Sequence, residues 1–264
     1  MGVGCSRRDP VAASTAGAVP LSSGKASNSA APGQVKELCA YAAEVRAQEQ
    51  RREASSIAVA ETVRRSFGKS AELAKATSVD GRMIYVVDGA VPEEEWGRLF
   101  ESLQGDSFRR TEFARPDTRE IRHNIVEYNP ERLRNTGLFR SVDCVVQALF
   151  PPSAADRRLQ VHRIYTNALM FGDAGFAHRD ATDPDHVTAL LYPNPDWSSE
   201  LGGETIFYKE NGEIADAVQP CPGRLCLFHG SIYHKGCPPS RLFWGSRYTT
   251  AFKFSLPAPA PRAG

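Results

Sequence analysis

Short apolar segments separated by turn residues fill the second half of the chain. Valine, isoleucine, threonine and aromatic residues are frequent in these segments, and Gly or Pro lies near most of their ends, which is typical of β-strands joined by turns. Several short strands at close spacing predict a β-sandwich or barrel. The segments are LQVHRIYTNALMF at 159–171, HVTALLYP at 186–193, GETIFYK at 203–209, GRLCLFHG at 223–230 and SRYTTAFKF at 246–254.

The preceding region mixes strands with helices. RMIYVVD at 82–88 and REIRHNIVEYN at 119–129 have the residue types of strands. PEEEWGRLFESLQG at 92–105 predicts a helix, because its proline and early glutamates suit a helix N-terminus. LRNTGLFRSVDCVVQALF at 133–150 predicts a second helix. The expected fold class is therefore mainly β with flanking helices (α+β).

Composition divides the chain into four regions. Residues 1–34 are rich in Ala, Ser, Gly and Pro, so they are predicted to be disordered. Residues 35–80 contain good helix formers with apolar residues at helical spacing, and predict a helical extension. The main domain is predicted over 81–256, and a disordered Pro-rich tail over 257–264.

The first residues, MGVGCSRRDP, fit the pattern for N-myristoylation. Gly2 is the predicted myristoyl acceptor, and Cys5 is placed for palmitoylation. One acyl chain binds a membrane only marginally, and a second makes the anchor stable. The sequence therefore predicts a cytoplasmic protein with peripheral membrane contact through an acylated N-terminus.

Charge and cysteine content argue against a nucleic-acid-binding function, a disulfide framework and a zinc site. Lys and Arg number 32 against 31 Asp and Glu, so no nucleic-acid partner is expected. The 6 cysteines are scattered without a CxxC pair, which favours reduced thiols over a disulfide framework or a zinc site. No apolar run is long enough to span a bilayer.

The histidines of the strand-rich half suggest a metal site. His178 and Asp180 are separated by one residue, and positions i and i+2 of a strand face the same way. A further histidine from a distant strand, either His229 or His234, completes a set of two imidazoles and one carboxylate. Such a set leaves coordination positions open, as non-haem Fe(II) oxygenases require.

A guanidinium and several hydroxyl groups are candidates for binding an anionic ligand. Arg247 and Thr249 share one face of the last strand by alternation. A guanidinium binds a carboxylate through two parallel hydrogen bonds, which a lysine cannot copy. Tyr165 and Tyr192 lie in strands of the same region, and a buried phenol needs a hydrogen-bond partner.

These motifs together resemble the prolyl 4-hydroxylase-like family of 2-oxoglutarate- and Fe(II)-dependent dioxygenases. The resemblance covers about 82–255 and is carried by the matching motifs HRD at 178–180, VTALLYPNPDW at 187–197, GGETIFY at 202–208, PGRLCLF at 222–228, His234, and RY at 247–248. It implies a double-stranded β-helix (jelly-roll or cupin-like) core.

The resemblance also implies roles for individual residues. His178, Asp180 and His234 would hold Fe(II), with His234 preferred because the family's arginine follows its distal histidine closely. Arg247 would bind the distal carboxylate of 2-oxoglutarate, and the other candidate cosubstrate contacts are Tyr192, Tyr165 and Thr249.

The expected activity is hydroxylation of a substrate C–H bond, with O2 consumed and succinate and CO2 released. Ascorbate is expected as an accessory reductant. The substrate is expected to be a peptidyl proline in a protein, or a small molecule. A catalytically inactive binding module with the same fold is the alternative of a different class.

Overall fold

The chain divides into two units, Met1–Glu49 and Gln50–Gly264. The described residues of the first unit are helical. No helix of the described part of the chain is long and apolar enough to cross a membrane. The computed structural model describes residues 40, 43–44, 46–47, 50, 54, 56–65, 70–151, 158–183 and 185–257.

Some sequence-based predictions fall outside these residues. They include the disordered start over 1–34, the acylation sites Gly2 and Cys5, and most of the tail over 257–264. These remain predictions.

The described residues of the larger unit form two antiparallel sheets. An 8-stranded sheet has the order β1-β2-β9-β6-β11-β5-β4-β3, and a 3-stranded sheet has the order β10-β7-β8. The strands are β1 Glu72–Val79, β2 Arg82–Asp88, β3 Arg109–Glu112, β4 His123–Tyr128, β5 Gln160–Leu169, β6 Val187–Leu191, β7 Thr205–Tyr208, β8 Ile214–Val218, β9 Leu225–His229, β10 Tyr233–Gly236 and β11 Arg247–Ser255.

Helices lie outside the sheets: α1 over 56–65, α2 Glu93–Leu103, α3 Pro130–Leu133 and α4 Gly137–Leu149. α4 begins where the Thr136 hydroxyl accepts a hydrogen bond of 3.2 Å from the Phe139 amide. It buries Leu138, Val142, Val146 and other residues at helical spacing. This apolar stripe packs against the large sheet.

Alternation along the strands separates two apolar layers. On β9, Leu225 and Leu227 belong to the layer beneath α4, whereas Cys226 and Phe228 belong to the layer between the two sheets. Full burial of one such large apolar side chain contributes about 1.5–3 kcal/mol. The fold class is the predicted one, a mainly β protein with flanking helices and a double-stranded β-helix core.

The predicted helical extension over 35–80 is wrong at its end, and the domain begins before residue 81. Glu72–Val79 forms β1, which pairs with β2 along its length. Asp80 and Gly81 have φ values of 48° and 80°, the left-handed conformations that a two-residue hairpin turn requires. Pairing across this turn overrides the helix propensity of the alanines and lysine in β1.

Candidate metal centre

A short β-bridge brings His178 and His234 side by side. The His178 amide donates to the His234 carbonyl oxygen at 2.8 Å, and the His234 amide donates to the His178 carbonyl oxygen at 2.9 Å. His234 belongs to β10, so His178 extends the small sheet by one position. The two ring centroids lie 4.7 Å apart. The backbone thus fixes both imidazoles against each other.

Asp180 completes a compact group of three donors. Its amide donates to the Gly230 carbonyl oxygen at 2.8 Å, which ties it to the turn before β10. Its Oδ1 lies 3.4 Å from His178 Nε2, and its Oδ2 lies 3.6 Å from His234 Nε2. One donor atom from each residue lies within 4.8 Å of the other two. The structure therefore brings the three predicted metal ligands together.

Both histidines direct the same ring nitrogen toward Asp180. Nδ1 of His178 lies 3.0 Å from the Phe176 carbonyl oxygen, and Nδ1 of His234 lies 2.9 Å from the Ile232 carbonyl oxygen. A carbonyl oxygen only accepts, so these contacts assign the proton to Nδ1 and leave the lone pair on Nε2. Two such nitrogens and one carboxylate fit a divalent first-row metal such as Fe(II).

The charge states of the group also suit metal binding. Burial opposes ionisation of Asp180, but the adjacent Lys253 ammonium and the His234 ring outweigh it and hold its pKa well below its usual value. Burial lowers the pKa of His234 to about 4. At neutral pH the carboxylate is therefore anionic and the His234 ring neutral, so a metal need not displace a proton from either.

His229, the alternative third ligand, lies on the other face of the large sheet. It shares strand parity on β9 with Leu225 and Leu227, which pack beneath α4. Its ring contacts Phe150 edge to face, with centroids 5.0 Å apart. The side chain of His229 is thus directed away from His178 and Asp180.

Arg247 is almost fully buried, with 1% of its surface exposed, at the start of β11. Its Nε donates to the Gly203 carbonyl oxygen at 2.6 Å, and its guanidinium lies 5.6 Å from the centre of the Tyr192 ring. No carboxylate of the described residues forms an ion pair with it. A buried cation without an anionic partner is costly, so this position favours an anionic ligand.

The other predicted cosubstrate residues occupy different depths. Tyr165 and Thr249 line the same cavity as Arg247 and the three donors. Thr249 accepts from Arg247 at 3.4 Å. Tyr192 lies one layer behind, where its hydroxyl is 2.8 Å from the Thr205 hydroxyl. Its contact with the cavity therefore runs through Thr205 and Arg247.

Several residues of the cavity were not predicted from the sequence. Lys253 shares the inner face of β11 with Arg247 and Thr249, so strand alternation was the signal that could have found it. The same alternation on β5 places Asn167 and Leu169 on the face of Tyr165. No simple sequence pattern identifies the rest, because they come from separate segments. The additional lining residues are Ala114, His123, Asn167, Leu169, Gly175, Phe176, Leu190, Thr205 and Gly236.

A buried histidine outside the cavity gives the fold a predictable pH dependence. His186 packs against His162, with ring centroids 5.2 Å apart, and burial lowers its pKa to about 4. In the unfolded chain a histidine has a pKa of about 6.5, so the unfolded state binds the extra proton first as the pH falls. The free energy of unfolding is therefore unaffected by this group above about pH 6.5, and it decreases as the pH falls from about 6.5 toward 4.

We expect His186→Gln to reduce this acid-dependent loss of stability. The expected reduction is on the order of 1–2 kcal/mol near pH 4.5, because residual solvent contact screens part of the burial penalty. Urea unfolding of both proteins at pH 7.5 and pH 4.5 measures it, and the difference at pH 7.5 corrects for altered packing. Equal losses of stability in the two proteins would contradict the prediction.

Solved structures with a similar chain trace include two hydroxylases and one iron-bound protein. A Pseudomonas putida prolyl-4-hydroxylase is 19% identical, with a TM-score of 0.48 over 65% of this chain and 91% of that chain. A prolyl hydroxylase from Trichoplax adhaerens is 17% identical, with a TM-score of 0.48 over 79% and 92%. HygX from Streptomyces hygroscopicus with iron bound is 14% identical, with a TM-score of 0.44 over 65% and 81%.

The candidate metal centre lies in a stretch of sequence that matches a family model. No curated protein matches the chain significantly. The sequence model of the 2OG-Fe(II) oxygenase superfamily matches residues 159–254. The matched stretch runs from β5 to β11 and includes His178, Asp180, His234 and Arg247.

Proposed function

We propose that the chain is a dioxygenase that hydroxylates a substrate C–H bond, because the sequence model of the 2OG-Fe(II) oxygenase superfamily matches residues 159–254. The superfamily implies Fe(II) and 2-oxoglutarate as metal and cosubstrate. One observation carries the proposal: a single cavity is lined by three candidate metal donors and by a buried guanidinium that forms no ion pair among the described residues. A metal site alone, or an anion site alone, is common to many folds.

In this proposal His178, Asp180 and His234 hold the metal. When bound, Fe(II) and 2-oxoglutarate supply the oxidation of a C–H bond by O2, with release of succinate and CO2. The two Nε2 atoms and the carboxylate are the protein's donors, and a set of this kind leaves positions for a cosubstrate and O2. The Nδ1 hydrogen bonds to backbone carbonyls keep both rings oriented toward Asp180.

Arg247 supplies the counter-charge for the distal carboxylate of 2-oxoglutarate. Its Nε is engaged by Gly203, and its two terminal nitrogens lie 3.3–3.4 Å from the hydroxyls of Thr205 and Thr249. These long contacts are replaceable by the stronger, paired bonds to a carboxylate. Tyr192 backs the guanidinium, and Thr249 and Tyr165 offer hydroxyls within the cavity.

The proposal extends to the substrate, and a peptidyl proline is the first candidate. Asn167 lines the cavity beside His123, and its buried Oδ1 makes no hydrogen bond of normal geometry to the described residues, so it can accept from an amide N–H of a peptide. Phe171 and Trp244 are 50% and 78% exposed and contact each other edge to face. Phe171 closely follows the cavity residue Leu169, and an exposed aromatic pair there suits an apolar peptide side chain.

Two measurements test this function. Anaerobic equilibrium binding should show that 2-oxoglutarate binds in the presence of Fe(II) and much more weakly after metal removal. Succinate release with Fe(II) and ascorbate is then scored against proline-containing peptides and a panel of small molecules. His162→Ala, which changes a histidine outside the cavity lining, serves as the control and should bind normally.

The outcomes separate the rival functions. The inactive binding module would be favoured if 2-oxoglutarate binds in a metal-dependent way but no succinate is released, either with any of the tested substrates or with 2-oxoglutarate alone. Succinate release with small molecules but not with peptides would replace the peptidyl substrate and leave the dioxygenase reaction in place. Absence of metal-dependent 2-oxoglutarate binding would contradict the proposal as a whole.

A further inference from the structure

Lys253 is a buried lysine on the wall of the candidate metal centre. Only 6% of its surface is exposed. Its neighbours Phe252 and Phe254 pack beneath the helices, so alternation turns Lys253 to the inner face of β11 together with Arg247. The side chain lines the cavity. A lysine in this position needs a specific partner, because an unpaired buried ammonium is strongly unfavourable.

That partner is the candidate metal ligand itself. Lys253 Nζ forms an ion pair with Asp180 Oδ2 and donates to the Thr188 hydroxyl at 3.3 Å. The Thr188 hydroxyl in turn donates to the same Asp180 Oδ2 at 2.6 Å. Among the described residues, no other carboxylate pairs with Lys253. The buried ammonium and the candidate metal ligand therefore share one carboxylate.

The two oxygens of Asp180 are consequently not equivalent. Oδ2 is held by an ammonium and a hydroxyl, and both donors approach from within the protein. Oδ1 has no hydrogen-bond donor from either of these residues and lies 3.4 Å from His178 Nε2. The arrangement keeps the carboxylate oriented and leaves Oδ1 as the oxygen available to a metal.

We propose that Lys253 is a positioning residue of the metal centre, an internal cation that holds Oδ2 of Asp180 and weakens the binding of divalent metals. This inference rests on the proposed function, since it takes Asp180 as a metal ligand. Without a metal, Lys253 balances the carboxylate and keeps the empty centre stable. With a metal, the ammonium and the dication share one carboxylate and repel each other in a buried, poorly screened setting.

The test compares the affinity of the full-length chain for Mn(II) with that of Lys253→Met. Methionine is likewise unbranched, one heavy atom shorter than lysine, and it carries no charge. In this variant the Thr188 hydroxyl still donates to Asp180 Oδ2 at 2.6 Å, so the carboxylate stays oriented. Because the repulsion and the competition for Asp180 are both removed, we expect the Kd for Mn(II), measured by equilibrium dialysis, to fall by at least about tenfold. The rise in Tm on adding Mn(II) should be larger in the variant, because stabilisation by a ligand grows as its Kd falls.

Further variants separate charge from packing. Lys253→Arg keeps the charge and should bind Mn(II) nearly as the unaltered chain does. Lys209→Met removes an exposed lysine that pairs with Glu213, and should leave the Kd unchanged. If Lys253→Met does not fold, Lys253→Gln tests the same loss of charge with a donor retained at the buried position.

The results distinguish this inference from the function on which it rests. If the unaltered chain binds neither Mn(II) nor Fe(II), the proposed metal centre is wrong. If it binds them and the neutral Lys253 variants bind Mn(II) equally or more weakly, only the role of Lys253 is overturned. A merely structural lysine would give that second result, because its loss would loosen Asp180 and lower the affinity.

Discussion

Asp180→Ala is expected to abolish metal-dependent 2-oxoglutarate turnover. The variant loses the single carboxylate of the donor group, and no other group of His, Cys, Asp and Glu donors with this geometry occurs among the described residues. Loss of an outer partner of a metal ligand alone costs roughly 10–100-fold in affinity, so removal of the ligand should exceed about a hundredfold. Fe(II) or Mn(II) binding and succinate release measure the two effects.

The same substitution has a predictable effect on folding. It leaves the Lys253 ammonium buried without its ion-pair partner, which typically costs about 3–5 kcal/mol. Loss of activity could then reflect unfolding and not loss of the ligand. The double variant Asp180→Ala/Lys253→Met removes both charges together, so it should regain stability without regaining metal binding.

This pair of variants makes the ligand assignment testable. Urea unfolding gives the stability of each protein, and equilibrium dialysis gives its metal affinity. A double variant that is stable but still binds no metal would support Asp180 as a ligand. Full 2-oxoglutarate-dependent activity in the stable double variant would contradict the assignment.

Strand alternation predicted much of the site, because it is a local property of the chain. It placed Arg247 and Thr249 on one face of β11, and both line the cavity. The same rule applied six residues beyond Arg247 places Lys253 on that face as well. The unusual feature, a lysine on a buried face, was therefore present in the sequence.

Alternation alone could not decide between His229 and His234. It states which residues share a face, but it does not state which face lies toward the site. His229 lies with Leu225 and Leu227, and only the packing of α4 on those leucines shows that this face is the outer one. The partner of His234 is likewise non-local, since the bridge to His178 joins segments far apart in the chain.

The strands without a clear pattern of their own in the sequence are stabilised mainly by their neighbours. β10, with the sequence YHKG, has almost no apolar residues, and it forms by pairing with β7. β8 lies at the edge of the small sheet, where it pairs with the side of β7 opposite to β10. By contrast β1 had a local signal, the Asp80–Gly81 dipeptide, which is typical of two-residue hairpins.

Arg247→Lys is expected to raise the KM for 2-oxoglutarate by about 10- to 100-fold with a small effect on kcat. Two charge-assisted hydrogen bonds to one carboxylate become a single contact, and a bond to a charged group contributes about 1.5–3 kcal/mol. The lysine also loses the Nε bond to Gly203 and the cation–π contact of the guanidinium with the Tyr192 ring. Initial rates of succinate release at varied 2-oxoglutarate concentration measure both constants.

A matched control and a second cosubstrate sharpen this experiment. Arg241→Lys changes an exposed arginine in the loop before β11 and should leave the KM unaltered. Because a lysine side chain is shorter than an arginine, 2-oxoadipate, which is one methylene longer, should lose less affinity in Arg247→Lys than 2-oxoglutarate does. An unchanged KM in Arg247→Lys together with a raised KM in Lys253→Met would instead assign the distal carboxylate to Lys253, the other buried cation of the cavity.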